Sequence, residues 1–120
     1  MKQILAVDDS GSVRQMVNFT LRRAGYEVQE ATDGRQGLEA ASRQKFDLVV
    51  TDLNMPNMDG LEMIAGLRKL PGYAFTPILM LTTESQPEKK DAGRKAGATG
   101  WIVKPFNAEQ LVAVVQKLVR

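Results

Sequence analysis

Short runs rich in apolar residues recur along the chain, and between them come longer stretches in which apolar residues return every three or four positions. Gln3-Ile4-Leu5-Ala6-Val7, Tyr26 to Ala31, Phe46 to Asp52, Ile78-Leu79-Met80-Leu81 and Trp101-Ile102-Val103 are predicted strands. A parallel strand buried on both faces is read from a continuous apolar run rather than from strict alternation. Helical spacing links Val13, Met16, Val17, Thr20, Leu21 and Ala24, with Ser10-Gly11-Ser12 as a cap and Gly25 as a stop. Thr32-Asp33-Gly34 opens a second helix with Gly37, Leu38 and Ala41 on its inner face, and Leu61, Ile64, Ala65 and Leu67 mark a third that closes at Pro71-Gly72. Residues 87–96 are helical by composition, but their apolar face is little more than Ala92 and Ala96, so this fourth helix is expected to be weakly anchored. Asn107 caps a fifth helix carrying Leu111, Val114, Val115 and Leu118.

Five strands alternating with five helices predict an α/β fold, a three-layer sandwich in which helices cover both faces of a five-stranded parallel sheet. Right-handed crossovers leave few topologies. The expected one is the flavodoxin-like (βα)5 arrangement with strand order 2-1-3-4-5, whose ligands bind outside the carboxyl ends of strands one and three. Neither an internal repeat nor a linker interrupts the pattern, so residues 1–120 are expected to form a single domain with no output domain attached.

Composition narrows the chemistry. The chain has 120 residues, no Cys and no His, which removes disulfides, thiolate chemistry, a histidine base and any His-built metal site. Any metal must be a hard ion held by oxygen. Lys and Arg number 16 against 14 Asp and Glu, a net charge of +2, and the basic residues are scattered, which is a poor nucleic-acid footprint. Without an apolar run near the ~18 residues a membrane span requires, and with Met1-Lys2-Gln3 leading directly into a strand, the expectation is a cytoplasmic protein with no membrane partner.

The polar residues that matter stand at strand ends. Asp8 and Asp9 follow the first strand, Asp52 ends the third, Thr82 the fourth and Lys104 the fifth. Behind Asp52 comes Leu53-Asn54-Met55-Pro56-Asn57-Met58-Asp59-Gly60, which is turn chemistry. Such a loop brings the carboxylate to the surface on a firm support. Three carboxylates drawn together repel unless a cation lies between them. Mg2+ suits the set, with Asp9 and Asp52 as direct ligands, the backbone carbonyl of Asn54 as a third oxygen and Asp8 acting through water. Lys104 and Thr82 can contact an anion bound at Asp52. These are parts for phosphoryl transfer to a carboxylate, with Asp52 as nucleophile. Taken singly, each has a plainer reading: Asp52 or the Asp8-Asp9 pair as a cap, Thr82 as a turn hydroxyl, Lys104 as a solvated strand end. Their joint occurrence at four strand ends favours the chemical one.

Val7-Asp8-Asp9-Ser10, Thr51-Asp52-Leu53-Asn54-Met55-Pro56, Met58-Asp59-Gly60, Leu81-Thr82-Thr83-Glu84, Lys95-Ala96-Gly97-Ala98 and Val103-Lys104-Pro105-Phe106 together resemble the receiver domains of two-component response regulators, most of all the free-standing chemotaxis regulators. The resemblance implies that Asp52 accepts a phosphoryl group from the phosphohistidine of a sensor kinase. It implies Mg2+ bound by Asp9, Asp52 and the Asn54 carbonyl, and a cis peptide before Pro105. It further implies a switch that couples Thr82 to the aromatic position at Trp101 and alters the face made by the fourth helix, fifth strand and fifth helix. A downstream protein would dock there, in chemotaxis the flagellar motor switch, with the regulator itself a monomer. Two features depart from the pattern: Trp101 stands where Tyr or Phe is usual, and Pro87, Lys89 and Lys90 make the start of the fourth helix polar and basic.

Three rival readings compete, and sequence separates two of them. A single-domain phosphorelay or adaptor receiver outside chemotaxis differs only in its partner. A phosphohydrolase of the haloacid dehalogenase type also uses a strand-end Asp nucleophile, but requires a second Asp two residues on, where this chain has Asn54. A flavin or nucleotide carrier on the same topology needs a phosphate cradle after the first strand, and Asp8-Asp9-Ser10 is acidic there. The expectation is thus a signalling phosphoacceptor rather than a turnover enzyme.

Overall fold

In the computed structural model, residues 1–53, 55, 57–83 and 87–119 are described, with backbone only for residues 87–89. Five strands, β1 (Gln3–Val7), β2 (Glu27–Ala31), β3 (Leu48–Asp52), β4 (Ile78–Thr82) and β5 (Gly100–Val103), alternate with five helices, α1 (Gly11–Arg23), α2 (Gly34–Arg43), α3 (Gly60–Lys69), α4 (Pro87–Ala96) and α5 (Ala108–Leu118). All pairings are parallel and the order is β2-β1-β3-β4-β5, as the alternating pattern predicts.

The period-two geometry of the strands divides the core. Leu5, Val7 and Val49 face Ala41, Met63, Ile64 and Leu67 of α2 and α3. Ile4, Ala6, Leu48 and Val50 face Val17, Leu21, Leu111 and Val115 of α1 and α5. β3 and β4 are buried at every position, so the carboxyl end of β3 is held between two packed layers.

Four local readings are corrected by the structure. β2 begins at Glu27, one residue late, because the Tyr26 amide donates to the Leu21 carbonyl and completes the end of α1. β3 begins at Leu48, because the Phe46 amide donates to the Tyr73 hydroxyl at 3.0 Å rather than to a strand. On α3 the inner face is Met63, Ile64 and Leu67, and Ala65 is exposed. The helix starts at Gly60 under a capping box of Asp59 and Glu62, and that start fixes its rotation. Ala92 and Ala96 of α4 are only half-buried, and the close approach to the sheet is made instead by Gly93, where a Cβ would overlap the end of the Met80 side chain.

Candidate functional site

The carboxyl edge of the sheet gathers the acidic residues. Asp8 and Asp9 leave β1, Asp52 ends β3, and each offers a carboxylate oxygen within 4.8 Å of the others. Asp8 and Asp52 are buried and Asp9 is exposed, so the cluster is firm on its inner side and open to solvent on its outer side. Backbone amides orient the two buried acids: Ser10 donates to Asp8 Oδ1 at 2.9 Å, and Leu53 donates to Asp52 Oδ1 at 2.8 Å.

Lys104 arrives from the end of β5. Its backbone amide donates to the Thr82 carbonyl at 2.7 Å, and its peptide bond to Pro105 is cis. Its Nζ lies 3.0 Å from Asp8 Oδ2 and 3.2 Å from Asp52 Oδ1, a single ammonium shared by both carboxylates. Thr82 is buried at the end of β4, one position beyond Leu81, which pairs with Asp52 across the ladder. Asp8, Asp9, Asp52, Thr82 and Lys104 therefore end neighbouring strands, as expected. Asn54 lies outside the described residues.

Trp101 occupies β5 opposite Met80. Its ring is half-buried against the core layer under α3 and α4, and two α4 cations cover it: Lys90 Nζ lies 5.2 Å and Arg94 Cζ 5.4 Å from its centroid. These distances fall within cation–π range. Lys90, read from sequence as part of a polar, basic helix start, is thus also a contact of the predicted switch position.

Arg14 is a site neighbour that the sequence pattern does not reveal. From α1 it donates through Nη1 to the Asp8 carbonyl at 2.7 Å and through Nε to Glu30 at 3.1 Å. It thereby ties the ends of β1 and β2 together beside the acidic cluster. Only its place on the first turn after Asp8-Asp9 hinted at this.

Electrostatics set the cluster's needs. Burial pushes the Asp52 carboxyl above its ordinary value of 3.8, the Asp8 charge pushes it further, and Lys104 offsets part of both. For Lys104 burial acts downward, but the hydrogen bond to Asp8 and the charges of Asp52 and Asp8 prevail and raise it. A raised native carboxyl stabilises the fold at pH below its unfolded value, and that stability is lost as pH rises through the native value. At neutral pH without metal, ionised Asp52 is therefore a strain. We expect Asp52→Asn to raise Tm by a few degrees in the presence of a chelator, with the difference shrinking toward pH 4. Thermal denaturation across that pH range checks it, and a lower Tm for the variant at neutral pH contradicts it.

Three oxygen donors of like charge, one solvent-facing, fit a hard divalent cation that keeps part of its water shell. Mg2+ meets that description.

Against this geometry the similarities are specific. The family model for the response regulator receiver domain matches residues 4–116. The chain belongs to the response regulator receiver domain family. Receiver domains bind Mg2+ at an acidic pocket, take phosphoryl groups from histidine kinases and act on downstream targets. The Vibrio cholerae chemotaxis protein CheY4 is 54% identical with a TM-score of 0.96, and the alignment covers 98% of each chain. The receiver domain of a sensor histidine kinase from Pseudomonas aeruginosa, solved with a magnesium ion coordinated in its active-site cleft, is 27% identical with a TM-score of 0.91 over 98% and 97% of the two chains. A DNA-binding dual master transcriptional regulator, RpaA of Synechocystis, is 38% identical over 120 residues, which is 100% of this chain and 50% of the relative. The chain thus spans about half the length of that curated relative. Among the described residues of this receiver domain, no helix is long and apolar enough to cross a membrane.

Proposed function

We propose that this receiver domain is a phosphorylation-driven switch in which Asp52 accepts a phosphoryl group from the phosphohistidine of a sensor kinase. The observation that carries this is the shared ammonium: Lys104 within 3.2 Å of Asp52 and 3.0 Å of Asp8, with Asp9 open to solvent beside them. An Asp52 carboxylate oxygen attacks phosphorus, the P–N bond breaks, and the histidine nitrogen leaves with the electron pair. Lys104 stabilises charge on the transferring oxygens, and the Thr82 hydroxyl binds the acyl phosphate. Asp9, Asp52 and the Asn54 carbonyl would hold Mg2+, with Asp8 acting through water, and the ion would supply charge neutralisation at the same oxygens.

The new dianion then favours a different arrangement of Thr82, Trp101 and α4, which is a population shift rather than a new fold. The face of α4, β5 and α5 would carry the output by binding a downstream protein. Similarity to CheY4 supports a chemotaxis partner. Similarity to RpaA supports a receiver working outside chemotaxis. A cytoplasmic monomer suits either role.

Trp101 is the natural reporter, being the single Trp and covered by α4 cations. Adding beryllofluoride and Mg2+ is expected to change its fluorescence, and Asp52→Ala should abolish the change. Sustained hydrolysis of p-nitrophenyl phosphate would instead mark a phosphohydrolase.

A further inference from the structure

The loop that leaves Asp52 is gripped from outside by α2. Asn57, in that loop, has φ 67°, a left-handed conformation that Asn tolerates better than most residues. Its Nδ2 donates to Asp33 Oδ2 at 2.9 Å. The other oxygen of the same carboxylate, Oδ1, accepts from the Gln36 amide at 2.9 Å as the N-cap of α2. One buried acid is therefore divided between capping a helix and holding a loop. Both bonds keep the Asp33 carboxyl below its ordinary range, the Gln36 amide more than Asn57.

The neighbouring residues repeat the attachment. A Cβ on Gly34 would lie 2.8 Å from the Met58 carbonyl oxygen and 2.9 Å from Met58 Cγ, so this close approach requires glycine. At the far end of the loop the Gly60 amide donates to the Leu53 carbonyl at 2.8 Å, and Gly60 itself sits against the Asp52 carbonyl. The loop is thus closed at its root, where Gly60 bonds to Leu53 and packs on Asp52, and is tied to the start of α2 through Asn57 and Met58. α2 is in turn seated on the sheet through Gly37, where a Cβ would come within 3.0 Å of Val7, two residues before Asp9.

We propose that Asp33 and Asn57 are positioning residues for the phosphoacceptor site, their hydrogen bond transmitting the fixed position of α2 to the loop that follows Asp52. This rests on the reading above, that Asp52 is the acceptor and that Mg2+ binds beside it. The physical reason is preorganisation. Partners that orient a metal's ligands typically cost 10–100-fold in affinity when removed, and misplacing a reacting group by about 1 Å can cost about 100-fold in rate.

The test separates positioning from simple stapling. Asn57→Gly keeps the left-handed backbone and removes the amide. Asp33→Ser keeps a helix cap and removes the reach to Asn57. Mg2+ affinity is read from the rise of Tm on titration with MgCl2, beside the metal-free Tm and the rate of phosphoryl uptake from acetyl phosphate. Asn57→Gly and Asp33→Ser are each expected to weaken Mg2+ binding and slow uptake about tenfold. The double variant should be no worse than the more impaired single one, since both remove the same bond. A lowered metal-free Tm with unchanged Mg2+ affinity and uptake would overturn the proposal and leave a plain fold staple. Should Asp33→Ser fail to fold, Asn57→Gly decides by itself. A wild type that neither binds Mg2+ nor takes up phosphate would overturn the underlying reading as well.

Discussion

Lys104→Ala is expected to be the most damaging single substitution at the site, lowering stability by about 3 kcal/mol without metal and slowing phosphoryl uptake roughly 100-fold. The ammonium is mostly buried and serves two carboxylates, Asp8 at 3.0 Å and Asp52 at 3.2 Å. Removing one partner of a buried pair leaves an uncompensated charge, and here two remain. Burial already disfavours ionised Asp52, and Lys104 is the cation that offsets it. A divalent cation in the acidic cluster replaces much of that compensation, so the stability gap between variant and wild type should narrow as MgCl2 is added. The rate defect should persist, because in the proposed reaction Lys104 contacts the transferring group from β5, whereas the proposed metal donors Asp9 and Asp52 lie at the ends of β1 and β3. Thermal denaturation with and without MgCl2, together with acetyl phosphate kinetics, measures both effects. Equal metal-free stability for variant and wild type would mean that Lys104 does not neutralise the cluster.

Gly60→Ala is the second large effect. Gly60 opens α3, and an added Cβ would fall on the Asp52 carbonyl oxygen and within 3.0 Å of Leu53 Cα. Both are backbone atoms at the end of β3, with no flexible side chain to swing aside. Either α3 shifts or the end of β3 does. Overpacking of this kind costs about 1–3 kcal/mol, and the shift displaces Asp52 from Lys104. The variant should therefore lose stability and phosphoryl uptake together. Gly66→Ala, whose Cβ would meet only the Leu38 side-chain tip, is the control and should keep its uptake rate. Normal uptake by Gly60→Ala would show that the Asp52 carbonyl is not in contact as described.

Much of the fold was legible because its signals are local. β3 and β4 are continuous apolar runs buried at every position, and the strand–helix alternation with right-handed crossovers leaves little choice of order. The gathering of Asp8, Asp9, Asp52, Thr82 and Lys104 at one edge was legible for the same reason, since a parallel sheet carries all strand ends there. What escaped was set by partners distant in sequence. The Phe46 amide turns to the Tyr73 hydroxyl, and the Tyr26 amide to α1, so two strands start late. Ala65 reads as inward from its spacing because alanine is compatible with either face of a helix. Only the capping box at Asp59 and Glu62 settles the rotation that buries Met63. The bonds of Arg14 to the Asp8 carbonyl and of Asn57 to Asp33 join separate elements and leave no periodic trace. The thin apolar face of α4 was visible, yet its contact through Gly93 with Met80, and its cations over Trp101, depend on how the helix lies on the sheet.

The central claim is that the Asp52 carboxylate becomes the acyl phosphate, and borohydride trapping tests it most directly. The protein is incubated with acetyl phosphate and Mg2+, reduced with borohydride, digested and mapped by mass spectrometry. Reduction converts an aspartyl phosphate to homoserine and leaves free carboxylates and hydroxyl esters unchanged. The expected product is homoserine at position 52 alone, absent when Mg2+ is chelated. Homoserine at position 8 or 9, or a phosphate that survives reduction on Thr82 or Thr83, would contradict the account.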